Sequence, residues 1–171
     1  MIGLLVVLVL IIVSLLGLAA MFSALESASL TVNRQVLRNM EAAGDRRASD
    51  ALAMLANTRR ILAGSLTGNL FSFLAAAGVL KIVLSLGLPR IVDAETLPGG
   101  FSWLASSTFW TLVILPPLFL LFGELVPRQW CRKRSDAFVM LSTGWARWLL
   151  AGWMPLADGL GSVISRGLRL V

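Results

Sequence analysis

The sequence contains no histidine and a single cysteine, Cys131. Without histidine the chain lacks the commonest general base and the commonest transition-metal ligand. One cysteine allows neither an internal disulfide nor a cysteine-based metal site. Any metal held here is therefore a hard cation that accepts oxygen ligands. Charge is scarce as well: 14% of residues are Asp, Glu, Lys or Arg, against roughly a quarter in soluble domains. With 57% hydrophobic residues and a mean hydropathy of +0.84, the composition excludes an ordinary soluble domain. The net charge is +6, from fifteen Lys/Arg and nine Asp/Glu. Those basic residues flank apolar runs, where anionic headgroups and the positive-inside rule account for them. The expected partner is the lipid bilayer, not nucleic acid.

The apolar residues collect in runs that suit crossings of about 20 residues each. The expected fold is an all-α integral membrane protein, one transmembrane domain over residues 1–171. Its three transmembrane helices are expected at about 2–30, 61–85 and 103–127. Residues 2–22 are almost wholly Leu, Val, Ile, Ala and Gly, then continue into FSALESASL. No basic n-region precedes them, so a retained span is expected in place of a signal peptide.

Amphipathic juxtamembrane helices are expected over about 32–58, within a stretch from Thr31 to Arg60 that carries six Arg and three acids. Gly44 suits a helix C′ position and Asp45 the N-cap of the next helix. A loop is expected from Leu86 to Ser107, with Pro89, Pro98, Gly99 and Gly100. Beyond Ala137, Arg147, Gly152 and Pro155 interrupt the apolar residues, while Trp145, Trp148 and Trp153 suit a headgroup-level belt. Interfacial belt helices are expected over about 136–168. A fourth crossing would carry Arg166 and Arg169 outside, against the positive-inside rule. By the same rule the N-terminus lies outside and the C-terminus in the cytoplasm of a multi-pass protein of the cell (inner or plasma) membrane.

Three polar clusters interrupt the spans. Ser23, Glu26 and Ser27 share one helix face at i, i+3 and i+4, as do Ser65, Asn69 and Ser72 at helical spacing. The third cluster is Gly123-Glu124-Leu-Val-Pro127. Pro127 cannot donate a backbone hydrogen bond, so the Gly123 carbonyl loses its helical partner. Pro116 and Pro117 free the carbonyls of Leu112 and Val113 in the same way. A carboxylate beside a free carbonyl, serine hydroxyls and an asparagine amide makes an oxygen-only constellation for Mg²⁺, Ca²⁺ or Na⁺. The alternative for Ser14, Ser27, Ser29, Thr67 and Ser72 is helix packing and bonding to their own backbone. Gly64 and Gly68 form a G-x-x-x-G packing signal of modest specificity. An intramembrane carboxylate is costly, so Glu124 and then Glu26 point to function. Glu26 has a second reading, pairing at the interface with Arg34 or another basic residue.

Phe22-Ser23-Ala24-Leu25-Glu26, Leu66-Thr67-Gly68-Asn69 and Phe122-Gly123-Glu124-Leu125-Val126-Pro127 follow in this order on three successive spans. Together they resemble the membrane domain of the CorC/CNNM (cyclin M) family, over about residues 3–165. The resemblance implies a homodimer exporting Mg²⁺ from the cytoplasm coupled to Na⁺ uptake. It places the ion at Ser23, Gly68, Asn69, Gly123 and Glu124, with Glu26, Ser27 and Ser65 as weaker candidates. The family usually has Gly where this chain has Ala24, and Lys or Gln where it has Arg128. The resemblance implies that full-length members continue into cytosolic CBS modules, and none is expected within residues 1–171. A non-transporting scaffold or divalent-cation sensor is the alternative from another class. No enzyme is expected, since no nucleophile with a base is evident; a Glu26–Glu124 carboxyl dyad would be the sole candidate.

Overall fold

A computed structural model describes the backbone of residues 2–87 and 103–168, and side chains over 3–87, 103–149 and 151–152. Most of the expected 86–107 loop, with its prolines, glycines and two acids, lies outside the described residues. So do the side chains of Trp153, Pro155 and Arg166, and Arg169 altogether.

Among the described residues every regular element is helical: α1 Ile2–Thr31, α2 Arg34–Ala42, α3 Arg46–Leu55, α4 Thr58–Gly87, α5 Ser107–Leu118, a π-helical segment Phe119–Leu125, α6 Val126–Lys133 and α7 Ser135–Leu168. Among the described residues three stretches are long and apolar enough to cross a membrane: Gly3–Thr31, Thr58–Gly87 and Ser107–Lys133. The protein is an all-α membrane domain of three spans.

The first span is apolar on all sides. Leu4, Val6, Val7, Leu10 and Val13 are all about half exposed, as a helix facing lipid requires. α1 and α4 each hold 30 residues. At ~1.5 Å per residue that is about 45 Å, half as long again as the hydrocarbon core. Both therefore project beyond the core at an end.

The third span begins four residues later than its composition suggests. Trp103–Ala105 form a short 3₁₀ turn, the Trp110 indole donates to the Leu104 carbonyl at 2.8 Å, and the helix starts at Ser107. Pro116 and Pro117 lie inside α5 without breaking it.

Where α1 ends, the juxtamembrane helices close a core. Leu25, Ala28, Leu37, Ala48, Ala51, Leu55, Ile61, Cys131, Val139 and Ala146 pack together there, contributed by α1, α2, α3, α4, α6 and α7. Cys131 is wholly buried in this core. Asn33 caps α2, accepting from the N–H groups of Gln35 and Val36, while its own N–H donates to Asp136 Oδ1 at 2.9 Å. Gly44 adopts φ +90, and Asp45 caps α3 by accepting from Arg47 N–H at 2.8 Å. Both roles are those their residue types imply.

The belt region is one helix where several were expected. α7 runs 34 residues through Gly152 and Pro155 without a break. It packs against α1, α3 and α4, with Val139 and Ala146 buried and Leu141 and Trp148 exposed.

Candidate functional site

The site starts from the crossing of α1 and α4. The Phe22 ring, itself wholly buried, lies so close to Gly68 that a Cβ there would stand 2.3 Å from Phe22 Cζ. Only a residue without a side chain lets the helices meet at this separation. Gly68 therefore provides approach, and its carbonyl already accepts the Ser72 hydroxyl at 2.8 Å. Gly123 is buried on the π-helical segment. A Cβ on it would make ordinary contacts with Phe119 and Ala19, at 3.4 and 3.5 Å.

The hydroxyls divide into two groups. Ser14, Ser29, Thr67 and Ser72 each donate to a carbonyl three or four residues earlier, which satisfies them within their own helices. Ser27 does not follow that pattern. It reaches across to the Arg128 carbonyl at 3.4 Å. Ser23 and Ser65 are both wholly buried, and their hydroxyl oxygens have no hydrogen-bond partner. Ser23 follows Phe22 at the crossing, and Ser65 lies one turn before Asn69 on the buried face of α4.

Glu124 is carried by the irregular part of the third span. Proline at 127 removes the N–H that would close the turn on Gly123. The helix widens instead, and Val126 N–H donates to the Leu121 carbonyl, five residues back. Such one-turn π segments are frequent at functional sites. The widened turn places Glu124 Oε1 where the Asn69 amide donates to it at 2.9 Å. Asn69 is buried, and its Oδ1 has no partner. Around these two residues a cleft of about 330 Å³ is otherwise lined by Leu66, Leu70, Phe73, Pro116, Phe119 and Leu120.

Arg128 is the residue that sequence reasoning passed over, treating it as a mild departure at the position after Pro127. Its guanidinium lies 3.4 Å from Glu26 Oε2 and 3.9 Å from Glu124 Oε2, so one cation serves two carboxylates on different spans. The second reading of Glu26, a basic partner, thus describes this structure, with Arg128 in place of Arg34. Arg34 instead donates to the Leu55 carbonyl and the Thr58 hydroxyl. The i, i+4 spacing of Glu124 and Arg128 was the available signal. Glu26 and Arg128 also line a second cleft, of about 220 Å³, with Ser27, Leu30, Thr31 and Arg132.

Among the described residues no three His, Cys, Asp or Glu side chains cluster as a metal site. What the three spans offer is sparse charge with neutral oxygens: the Glu124 carboxylate, the Asn69 Oδ1, and the Ser23 and Ser65 hydroxyls. Oxygen donors with one adjacent carboxylate suit a hard cation held loosely.

The sequence matches the family described as CNNM, the cyclin M transmembrane N-terminal domain, over residues 10–171. No curated protein matches the chain.

Proposed function

The chain belongs to the CNNM family, whose membrane domains are associated with Mg²⁺ transport, and on that premise we propose that it exports Mg²⁺ from the cytoplasm in exchange for Na⁺, as a homodimer. One observation carries this reading. Three buried side-chain oxygens, those of Ser23, Ser65 and Asn69 Oδ1, lack any hydrogen-bond partner, and Asn69 is bonded to a carboxylate inside a membrane span.

A buried polar group left without a partner costs about 1–3 kcal/mol. A cation drawn into the site removes that cost while gaining the Glu124 charge. Mg²⁺ sheds its waters reluctantly and needs several well-placed oxygens. Ser23, Ser65, Asn69 and Glu124 supply them from all three spans, with the Gly123 carbonyl, denied its i+4 donor by Pro127, as a further oxygen. Gly68 serves by letting α1 and α4 approach. A single directly coordinating carboxylate keeps the affinity modest, which a carrier needs in order to release its cargo. The positive-inside rule orients the site so that the arginine-rich helices and the second cleft face the cytoplasm.

Isothermal calorimetry of purified protein, wild type against Glu124→Ala, tests the site. Mg²⁺ binding lost in the variant is the expected result, and unchanged affinity would sink the assignment. Flux in reconstituted liposomes tests transport, because binding without flux fits a sensor or scaffold instead.

A further inference from the structure

Arg128 occupies a position that no ion-site reading requires. It sits between the two clefts: its own side chain lines the cleft of Glu26 and Ser27, while it reaches Glu124, which lines the cleft of Asn69 and Phe119. The guanidinium is shared by the two carboxylates, nearer to Glu26 at 3.4 Å than to Glu124 at 3.9 Å. Its Nε is buried without a partner, so the group is incompletely satisfied where it stands. The Arg128 backbone is separately anchored, its carbonyl accepting from Ser27. The side chain can therefore shift between the acids without moving α6.

We propose that Arg128 is a tethered counter-cation: it neutralises Glu124 while the site is empty and is given up to Glu26 when a divalent cation binds. Glu26 is then the receiving carboxylate of the exchange, not a ligand of the cargo. The inference rests on the Mg²⁺ site proposed above. Its electrostatic logic is simple. Glu26, Glu124 and Arg128 together carry a single negative charge, which a divalent ion overcompensates. Two like charges a few ångströms apart in a partly dehydrated site repel strongly, so Arg128 and the cargo compete for Glu124 Oε2. That competition lowers the affinity. It also keeps the empty state from exposing an unpaired intramembrane carboxylate, which is costly. A carrier that must return without its cargo benefits from both effects.

The experiment is Mg²⁺ calorimetry on the purified chain, with thermal melts in the presence and absence of Mg²⁺. Arg128→Gln removes the competing charge, so Mg²⁺ should bind about tenfold more tightly or better, while the Mg²⁺-free protein melts at a lower temperature than wild type. Arg128→Lys keeps the charge and should stay within about threefold of wild-type affinity. Glu26→Gln removes the receiving carboxylate, so Mg²⁺ should bind more weakly, and that weakening should vanish in the Glu26→Gln/Arg128→Gln double variant. Wild-type affinity in Arg128→Gln, or equal effects of Gln and Lys, overturns the counter-cation while leaving the Mg²⁺ site intact. Absence of Mg²⁺ binding in the wild type overturns the site itself, and the proposal with it.

Discussion

The Asn69 amide nitrogen donates to Glu124 Oε1 at 2.9 Å, joining α4 to the widened turn of the third span. This bond uses the amide nitrogen and leaves the amide oxygen buried without a partner. The other carboxylate oxygen turns towards Arg128. In this arrangement the pair is held by donors; to face a cation, Asn69 would have to offer its oxygen instead. Rotation of the amide by half a turn accomplishes that with no change in backbone.

Asn69 should be probed in two directions. Asn69→Ala removes the oxygen that would have to face the cation, and loss of that group should weaken Mg²⁺ binding about tenfold or more. Asn69→Asp keeps the oxygens but places a second carboxylate beside Glu124. The Mg²⁺-free protein should then melt lower than wild type, and added Mg²⁺ should raise its melting temperature further than it does for wild type. An Asp variant with wild-type melting under both conditions would contradict the placement.

The two unpartnered serines make an unusual prediction. Ser23→Ala and Ser65→Ala remove buried hydroxyls that bond to nothing, so the ion-free protein should lose no stability and can gain some. The stabilisation that Mg²⁺ confers should nevertheless shrink. Melts with and without Mg²⁺ separate the two effects, and a large loss of stability without Mg²⁺ would show that these hydroxyls have structural partners.

Gly68 and Gly78 lie on the same helix but should respond oppositely to alanine. A Cβ at Gly68 would enter the Phe22 ring, whereas nothing stands within 4 Å of one at Gly78. Phe22 is wholly buried and has little room to withdraw, so Gly68→Ala should cost about 1–3 kcal/mol by overpacking. Gly78→Ala should be neutral or stabilising by up to ~1 kcal/mol through helix propensity. Thermal unfolding in detergent distinguishes them, and equal behaviour of the two variants would refute the close crossing.

At the juxtamembrane end, Asn33→Ala should cost about 1 kcal/mol through loss of the α2 cap, leaving Mg²⁺ affinity unchanged. By contrast Asp50→Ala, which breaks a half-exposed pair with Arg147 at 3.2 Å, should alter stability by less than ~1 kcal/mol. Faster amide exchange at Gln35 and Val36 in the Asn33 variant reports on the cap directly.

Much of the framework was legible in the residues alone. The three spans follow from apolar length, since a bilayer obliges each crossing to satisfy its own backbone within about 20 residues. Gly44 and Asp45 were readable because turn and cap chemistry is local. The consequence of Pro127 was readable in part: a carbonyl without its donor was expected, and the widening of the helix into a π segment from Phe119 to Leu125 was not. How a helix absorbs a missing bond depends on what packs around it. In α7 the buried Val139 and Ala146 join the juxtamembrane core, contacts with residues far along the chain that local spacing does not reveal.

The candidate site divides along the same line. Which side chains are chemically able to meet a hard cation was determined by the sequence, through the missing histidine, the lone cysteine and the rare intramembrane acids. Which of them are satisfied was decided only in three dimensions. Ser72 bonds its own helix and Ser65 bonds nothing, although both are serines on one face of α4. Arg128 stood in the sequence as an unremarkable basic residue after a proline. Folding brings it between Glu26 and Glu124, 102 residues from one and one helical turn from the other. Local chemistry follows from residue type and spacing; the partner of a charge follows from how long helices cross.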